Sequence, residues 1–98
     1  MTASYVLSQE ADNDIEGIFE YSELKFGASQ AIEYLIGMNS HFEVIAKNPN
    51  IGIERKEIKN ELFSFPYKSH VIFYRKMRGY VRIIRVLYGG RDLIKILT

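Results

Sequence analysis

Hydrophobic and polar positions along this chain change their period once, close to its middle. In the first half, apolar residues recur at helical spacing in two stretches: Ala11, Ile15, Ile18 and Phe19, then Ile32, Leu35, Ile36, Phe42 and Ile45. In the second half, apolar residues form short runs rich in β-branched and aromatic side chains, which are typical of strands. The pattern therefore predicts two helices followed by a sheet.

Local signals predict where the two helices begin and end. The short apolar run Tyr5–Leu7 predicts a first strand, and Ser8 can cap the helix that follows it. Gly27 predicts the break between the helices, and Pro49, just beyond Lys47, predicts the end of the second. Because so few residues join the two helices, we expect an antiparallel helical hairpin.

Three strands are predicted in the second half. They cover residues 62–65 (stopped by Pro66), 69–75 and 80–88, with a tight turn at Arg78–Gly79 and a polar loop over 51–61. Gly89–Gly90 ends the last strand, and residues 92–97 form a short apolar tail, as a strand or a helical turn. The order β-α-α-β-β-β predicts one α+β domain over residues 1–98. Its helical hairpin packs on a small antiparallel sheet, and the first strand can return to the edge of that sheet.

The two faces of this sheet are both apolar. If Met77 opposes Tyr80 across the turn, alternation places Val71, Phe73, Arg75, Arg82, Ile84 and Val86 on one face. The other face then carries Ile72, Tyr74, Val81, Ile83, Arg85 and Leu87. The helical hairpin can cover only one face. We therefore expect the face of Val71 and Phe73 to form an apolar groove with arginines at its margin, which binds an acidic amphipathic partner. The alternative is that the C-terminal tail folds back over this face.

Charge is divided unevenly along the chain. Residues 1–50 carry two cations and eight acids, whereas residues 51–98 carry eleven cations and four acids. A basic half favours an acidic macromolecular partner, although lysines and arginines along a sheet edge also serve to prevent aggregation. The chain has no cysteine, its opening residues lack a secretion signal, and no apolar run reaches the ~18 residues of a membrane span. We therefore expect a cytoplasmic protein without membrane contact.

Known cofactor and metal patterns are missing from the sequence. No histidine or carboxylate cluster has metal-ligand spacing, and Gly89–Gly90 is a turn and not a phosphate-binding loop. We expect no metal and no cofactor. His70 lies within an apolar strand, where we expect it to form hydrogen bonds inside the structure.

Several segments from residue 48 onwards resemble the ParE toxins of the RelE/ParE superfamily. They are Leu-Phe-Ser-Phe-Pro at 62–66, Ser-His-Val-Ile-Phe-Tyr-Arg at 69–75, Ile-Arg-Val-Leu-Tyr-Gly at 84–89 with Asp92, and Asn-Pro-x-x-Gly at 48–52. The resemblance implies a RelE-like fold and a type II toxin–antitoxin system that serves plasmid or chromosomal stability. It also implies DNA gyrase as the target and neutralisation by the acidic amphipathic segment of a ParD-like antitoxin. Sequence-specific DNA binding by the toxin alone is not expected.

Two departures from the family pattern fall near the C-terminus. Tyr88 stands where the family has histidine, and Gly90-Arg91-Asp92 is one residue shorter than its counterpart. The resemblance makes Arg85, Tyr88 and Arg91 candidates for target binding. The candidates for antitoxin binding are the residues on the sheet face that the helices are not expected to cover: Val71, Phe73, Arg75, Arg82, Ile84 and Val86. Arg85 in an internal salt bridge and Tyr88 packed on Ser69 are the structural alternatives.

The RelE branch of the superfamily offers a second hypothesis, a ribosome-dependent mRNA endonuclease. This chemistry needs a group that activates the ribose 2′-hydroxyl and cations that stabilise the charged transition state. Arg82, Arg85, Tyr88 and Arg91 are the candidates for those roles. A binder of gyrase is favoured over an enzyme, and a non-toxic interaction module is a third hypothesis.

Overall fold

The computed structural model describes residues 4–98 and contains a short strand, two long helices, four further strands and a short final helix. The elements are β1 (Tyr5–Leu7), α1 (Gln9–Phe26), α2 (Ala28–Lys47), a 3-10 turn (Pro49–Ile51), β2 (Ile53–Glu54), β3 (Phe63–Tyr67), β4 (His70–Lys76), β5 (Val81–Tyr88) and α3 (Leu93–Leu97). Residues 1–3, part of the opening segment from which no secretion signal is expected, lie outside the described residues. The predicted α+β fold, a helical hairpin on a sheet, is confirmed.

The sheet has five strands in the order β1-β5-β4-β3-β2. Strands β2 to β5 are antiparallel to their neighbours, whereas β1 returns to the edge and pairs in parallel with β5. The sheet is therefore mixed, because the first strand enters beside β5 and leads directly into α1.

Two details of the predicted strands are wrong. The segment 51–61 is not wholly a loop, because it contains β2, which pairs with Phe63 and Ser64 of β3. Pro66 does not end β3 but lies inside it, opposite Val71 of β4. A proline is tolerated there because β2 pairs only with Phe63 and Ser64 at the start of β3. Pro66 therefore has no strand neighbour on that side, and its missing backbone N–H leaves no hydrogen bond between strands unmade.

The predicted ends of the helices and of the β4–β5 turn are confirmed. The Ser8 hydroxyl accepts a hydrogen bond from the Ala11 backbone N–H at 3.0 Å and so caps α1. Gly27 separates the helices with a φ of 91°, a conformation that favours glycine. At the turn, the Met77 backbone N–H donates to the Tyr80 carbonyl at 2.9 Å, as expected for opposed residues.

The helices bury the centre of one sheet face, which we call the helix-side face. Its buried core consists of Ala11, Met38, Phe42 and Ile45 from the helices and Tyr67, Ile72, Tyr74, Val81, Ile83 and Val86 from the strands. The predicted stripe of α2 is wrong at Ile32 and Ile36, which are exposed, while Met38 is buried. The periodicity alone did not distinguish the core face of α2 from its flank.

The hydroxyl of Tyr74 joins this core to the chain that leaves α2. It donates a hydrogen bond to the Pro49 carbonyl at 2.7 Å and accepts one from the Gly52 backbone N–H at 2.9 Å. A Cβ atom at Gly52 would collide with this hydroxyl and with the Ser64 carbonyl. The Asn-Pro-x-x-Gly segment therefore has a structural role in placing β2 against β3.

Candidate functional site

The pairing of β4 with β5 is irregular between Phe73 and Tyr74. On the turn side Tyr74 opposes Ile83, whereas on the other side Phe73 opposes Arg85, which leaves Ile84 as the extra residue of a bulge. Side chains alternate along a strand, so one inserted residue reverses the faces of everything beyond it. The bulge therefore decides which β5 side chains share a face with which residues of β4.

Because of the bulge, the predicted faces of Arg85, Val86 and Leu87 are wrong, and Arg85 opposes Phe73 instead of sharing a face with Ile72. Val86 opposes Ile72 and lies in the helix-side core with 2% of its surface exposed. Leu87 lies on the opposite face and packs with Phe73. Val86, a sequence candidate for antitoxin binding, is thus not accessible to a partner in this structure.

The opposite face, which we call the tail-side face, is not the open groove expected from the sequence. Phe73 has no exposed surface, and it is buried with Ile58, Leu62 and Leu87. The neighbours packed around this cluster are Val71, Ile84, Leu93, Ile96 and Leu97. The C-terminal helix α3 and the segment before β3 therefore cover the floor, because burying each large apolar side chain gains about 1.5–3 kcal/mol.

Cations surround the part of this face that α3 leaves uncovered. Arg75 of β4 directly opposes Arg82 of β5, and Arg82 is exposed. A cavity of about 140 Å³ opens beside Arg75. Its lining residues are Glu10, Lys59, Leu62, Arg75, Ile84, Arg85, Ile96 and Leu97. The sequence pattern did not place Lys59 on this face, because Lys59 lies in the irregular segment that only the fold brings here.

Arg85 is engaged inside the molecule. Its Nε and Nη2 atoms donate to the Asp14 carboxylate at 2.8 and 3.0 Å, and Glu10 lies 3.9 Å from its Nη1 atom. The hydrogen bonds that Arg85 donates to Asp14 raise the pKa of Arg85 above its ordinary value, although burial acts to lower it. The structural alternative for Arg85, an internal salt bridge, is therefore the one observed.

Tyr88 and Arg91 lie at the other end of β5. Tyr88 is 53% exposed, and its ring meets the His70 ring edge-on at a centroid distance of 6.0 Å. Arg91 is exposed, and its backbone N–H donates to the Tyr88 carbonyl at 3.2 Å. His70 Nδ1 lies 2.6 Å from the Tyr34 hydroxyl, which agrees with its predicted internal hydrogen bond. Burial lowers the pKa of His70.

The four residues proposed for RNA cleavage do not converge on one point. Arg82 lies on the tail-side face opposite Arg75, whereas Tyr88 opposes His70, whose ring reaches Tyr34 of α2. Arg85 is held by Asp14. A reacting group at Tyr88 would therefore lack Arg82 and Arg85, two of the three arginines that the sequence hypothesis names, and only Arg91 follows it closely in the chain.

Residues 4–98 contain no group of three histidine, cysteine or carboxylate side chains placed to hold a metal ion. Over the same residues, no helix has the length and apolar character that a bilayer crossing requires.

Comparisons with known proteins agree on one family. The model of the "ParE toxin of type II toxin-antitoxin system, parDE" family matches residues 5–93. Toxin ParE1 of Caulobacter vibrioides is 36% identical over 88 residues, which cover 90% of this chain and 91% of that protein. Toxin ParE1 of Mycobacterium tuberculosis is 31% identical over 94 residues, covering 95% of this chain and 96% of that protein.

Two solved structures share the fold. A chain of the chromosomal ParDE toxin–antitoxin system from P. aeruginosa matches with a TM-score of 0.77 and 13% identity, over 89% of this chain and 96% of that one. A chain of the toxin–antitoxin complex RelBE2 from Mycobacterium tuberculosis matches with a TM-score of 0.60 and 15% identity, over 90% of this chain and 99% of that one. At these identities the likeness concerns the fold.

Proposed function

This chain belongs to the ParE toxin family of type II toxin–antitoxin systems, and from that premise we propose that it inhibits DNA gyrase in the cytoplasm by binding to it. A ParD-like antitoxin neutralises it. The observation that supports a binding mechanism is the separation of Tyr88 from Arg82 and Arg85, because these three candidates do not form one group that could cleave a phosphodiester.

The target contact is made by Tyr88 and Arg91 at the exposed end of β5. Both side chains are accessible. Tyr88 directly precedes Gly89–Gly90, where the chain leaves the sheet, and Arg91 directly follows them. Tyrosine and arginine are among the residue types that most often dominate binding energy in protein interfaces. Arg85, in contrast, is a structural residue that holds α1 to β5.

The antitoxin contact is made on the tail-side face and along its cationic margin. Val71, Ile84, Arg75 and Arg82 retain accessible surface there, whereas Phe73 contributes from beneath as part of the floor. A partner helix with acidic and apolar residues matches this mixture in charge and in polarity.

Controlled expression in bacteria tests the target, with purified gyrase as the second measurement. We expect filamentous cells, an induced DNA damage response and inhibited supercoiling. Rapid arrest of translation with cleaved messages would overturn the proposal in favour of the RelE-type nuclease, and normal growth would overturn toxicity altogether.

Variants of the end of β5 test the site. We expect Tyr88→Ala and Arg91→Gln each to lower inhibition of supercoiling at least about tenfold, which corresponds to about 1.4 kcal/mol of binding free energy. Arg78→Gln, a change of the same charge in the exposed β4–β5 turn, is the control that leaves inhibition unchanged.

A further inference from the structure

The turn between β4 and β5 carries a dense group of cations. Residues 75–82, Arg-Lys-Met-Arg-Gly-Tyr-Val-Arg, contain four cations and no acid, and we call them the basic tip. Within residues 4–98 the cations that form ion pairs are Arg55 and Arg85, so no carboxylate neutralises the basic tip. Its residues 76–80 are all exposed. The basic tip is therefore accessible to a partner and keeps its full positive charge.

Protection of a sheet edge does not account for these cations. Lysines and arginines prevent aggregation on edge strands, whose backbone groups lack a partner on one side. Strands β4 and β5 are interior strands, since β4 pairs with β3 and β5, and β5 pairs with β4 and β1. Arg75 and Arg82 are directly opposed, an arrangement in which like charges destabilise a strand pair. The basic tip thus costs stability in the free chain, which favours a role in binding an anion.

The four cations point in more than one direction. Arg75 and Arg82 share the tail-side face. Lys76 lies on the helix-side face, where its Nζ atom is 4.5 Å from the centroid of the Phe63 ring. Arg78 lies in the turn that joins the two strands. An amphipathic peptide presents its acids on one side only, so it could not neutralise both faces of the basic tip at once.

Double-stranded DNA, in contrast, presents phosphates on both walls of a groove. Its major groove is about 12 Å wide and admits a two-stranded β-ribbon, whose strands lie about 5 Å apart. Cations on both faces of such a ribbon approach the phosphates of both walls. The major groove of double-stranded RNA is too deep and narrow for this arrangement. Single strands are bound on several stacked aromatic side chains, and Tyr80 is the one aromatic residue of the basic tip.

We propose that the basic tip enters the major groove of double-stranded DNA and binds its phosphates without sequence preference. The residues that contact phosphate are Arg75, Lys76, Arg78 and Arg82. This binding activity goes beyond the inhibition of gyrase, because Tyr88 and Arg91, the proposed target contact, lie at the opposite end of β5. Arg75 and Arg82 also border the proposed antitoxin contact, so Arg78 is the residue that tests DNA binding by itself.

The salt dependence of binding gives the first test. A labelled DNA duplex is titrated with the purified chain by fluorescence anisotropy at a series of salt concentrations. Each neutralised phosphate contributes about −0.9 to the slope of log K against log salt, so four contacts give about −3.6. Arg78→Gln should change the slope to about −2.7. An Arg78→Gln slope equal to that of the unaltered chain would overturn the proposal.

Lys25→Gln is the matched control for this titration. It removes the same charge from an exposed lysine in the last turn of α1, outside the basic tip. We expect it to leave the slope unchanged. An equal loss of slope in Lys25→Gln and Arg78→Gln would show that the overall charge of the chain, and not the basic tip, attracts the DNA, and it would overturn the proposal.

Competition between polyanions gives the second test. Two DNA duplexes of unrelated sequence should displace the labelled duplex equally well. Double-stranded RNA of the same length, a polyglutamate peptide and phosphatidylglycerol vesicles should each displace it at least about tenfold less well. Equal displacement by polyglutamate would reduce the site to a general attraction for anions. Stronger displacement by RNA or by vesicles would assign the basic tip to that partner, and each of these outcomes overturns the proposal.

Failure of the DNA site and failure of the gyrase proposal can be distinguished. Arg78→Gln should weaken DNA binding and leave the inhibition of supercoiling unchanged, whereas Tyr88→Ala should do the reverse. An unaltered chain that inhibits gyrase but does not bind the duplex contradicts the DNA site alone. An unaltered chain that binds the duplex with the expected salt dependence but does not inhibit gyrase contradicts the target alone.

Discussion

Asp14 of α1 binds Arg85 of β5 through two hydrogen bonds of 2.8 and 3.0 Å, and the same carboxylate accepts a third, of 3.0 Å, from the Val86 backbone N–H. Strand β1 pairs with β5 only as far as Ile83. Beyond that point the Asp14 carboxylate accepts the backbone hydrogen bond of Val86 that a neighbouring strand would otherwise accept. One carboxylate therefore neutralises an arginine and blocks a sheet edge that could otherwise pair with another chain.

Loss of this carboxylate is expected to destabilise the fold. Asp14→Ala leaves the Val86 N–H and the Arg85 guanidinium without an acceptor, so we expect the free energy of unfolding to fall by about 2 kcal/mol. Asp14→Asn keeps one acceptor and should cost less. Urea denaturation measures the change, with Glu16→Ala on the exposed side of α1 as control. Equal stability of the two alanine variants would show that the Asp14 contacts contribute nothing.

The hydroxyl of Tyr74 is expected to stabilise the junction between α2 and β2. Tyr74→Phe removes the bonds to the Pro49 carbonyl and the Gly52 N–H, so the free energy of unfolding should fall by about 1–2 kcal/mol. Tyr80→Phe, in the exposed turn, should leave it unchanged. Thermal or urea unfolding checks the difference, and an unaffected Tyr74→Phe variant would contradict the structural role of this hydroxyl.

The cover of the tail-side face is expected to be removable without loss of the helix-side core. Ile96→Asp places a charge against the cluster around Phe73, so α3 should detach and the binding of a hydrophobic dye should rise several-fold. Ile94→Asp, on the exposed side of the same helix, is the matched control. Far-ultraviolet circular dichroism should change little in either variant. Equal dye binding by both would show that α3 does not cover this face.

Stability is expected to fall in mild acid because of His70. Burial lowers the pKa of His70 below its ordinary value of 6.5, so the unfolded chain takes up its proton more readily than the folded one. The free energy of unfolding should therefore decrease as the pH falls below about 6.5, and the decrease should end below the folded pKa. Urea titrations at stepped pH measure it. His70→Gln should flatten this part of the profile, and an unchanged slope would assign it to other groups.

Much of the fold followed from local chemistry. Ser8, Gly27 and Pro49 mark helix ends through capping, backbone freedom and a missing donor, and each acts within a few residues of its own position. The turn at Arg78–Gly79 was predictable for the same reason. Strand β2 was not, because two residues in a charged segment become a strand only by pairing with β3.

The candidate site was less predictable than the fold. Arg75 and Arg82 were placed on one face from the turn alone, since the strands are regular between the turn and the bulge. Val86 was misplaced because it lies beyond the bulge. Arg85 could not be distinguished from a binding residue, since its partner Asp14 is 71 positions away in sequence.

The amino-acid sequence by itself determined the order of the two long helices and of strands β1, β3, β4 and β5, the ends of the helices, and the family, since these depend on local preferences and on motifs in succession. Only the tertiary structure decided which side chains of β5 face the helices, that α3 seals the apolar floor, and which arginines keep an unmatched charge. The physical reason is that one extra residue at Ile84 reverses the alternation, and that burial and ion pairing join residues far apart in the chain.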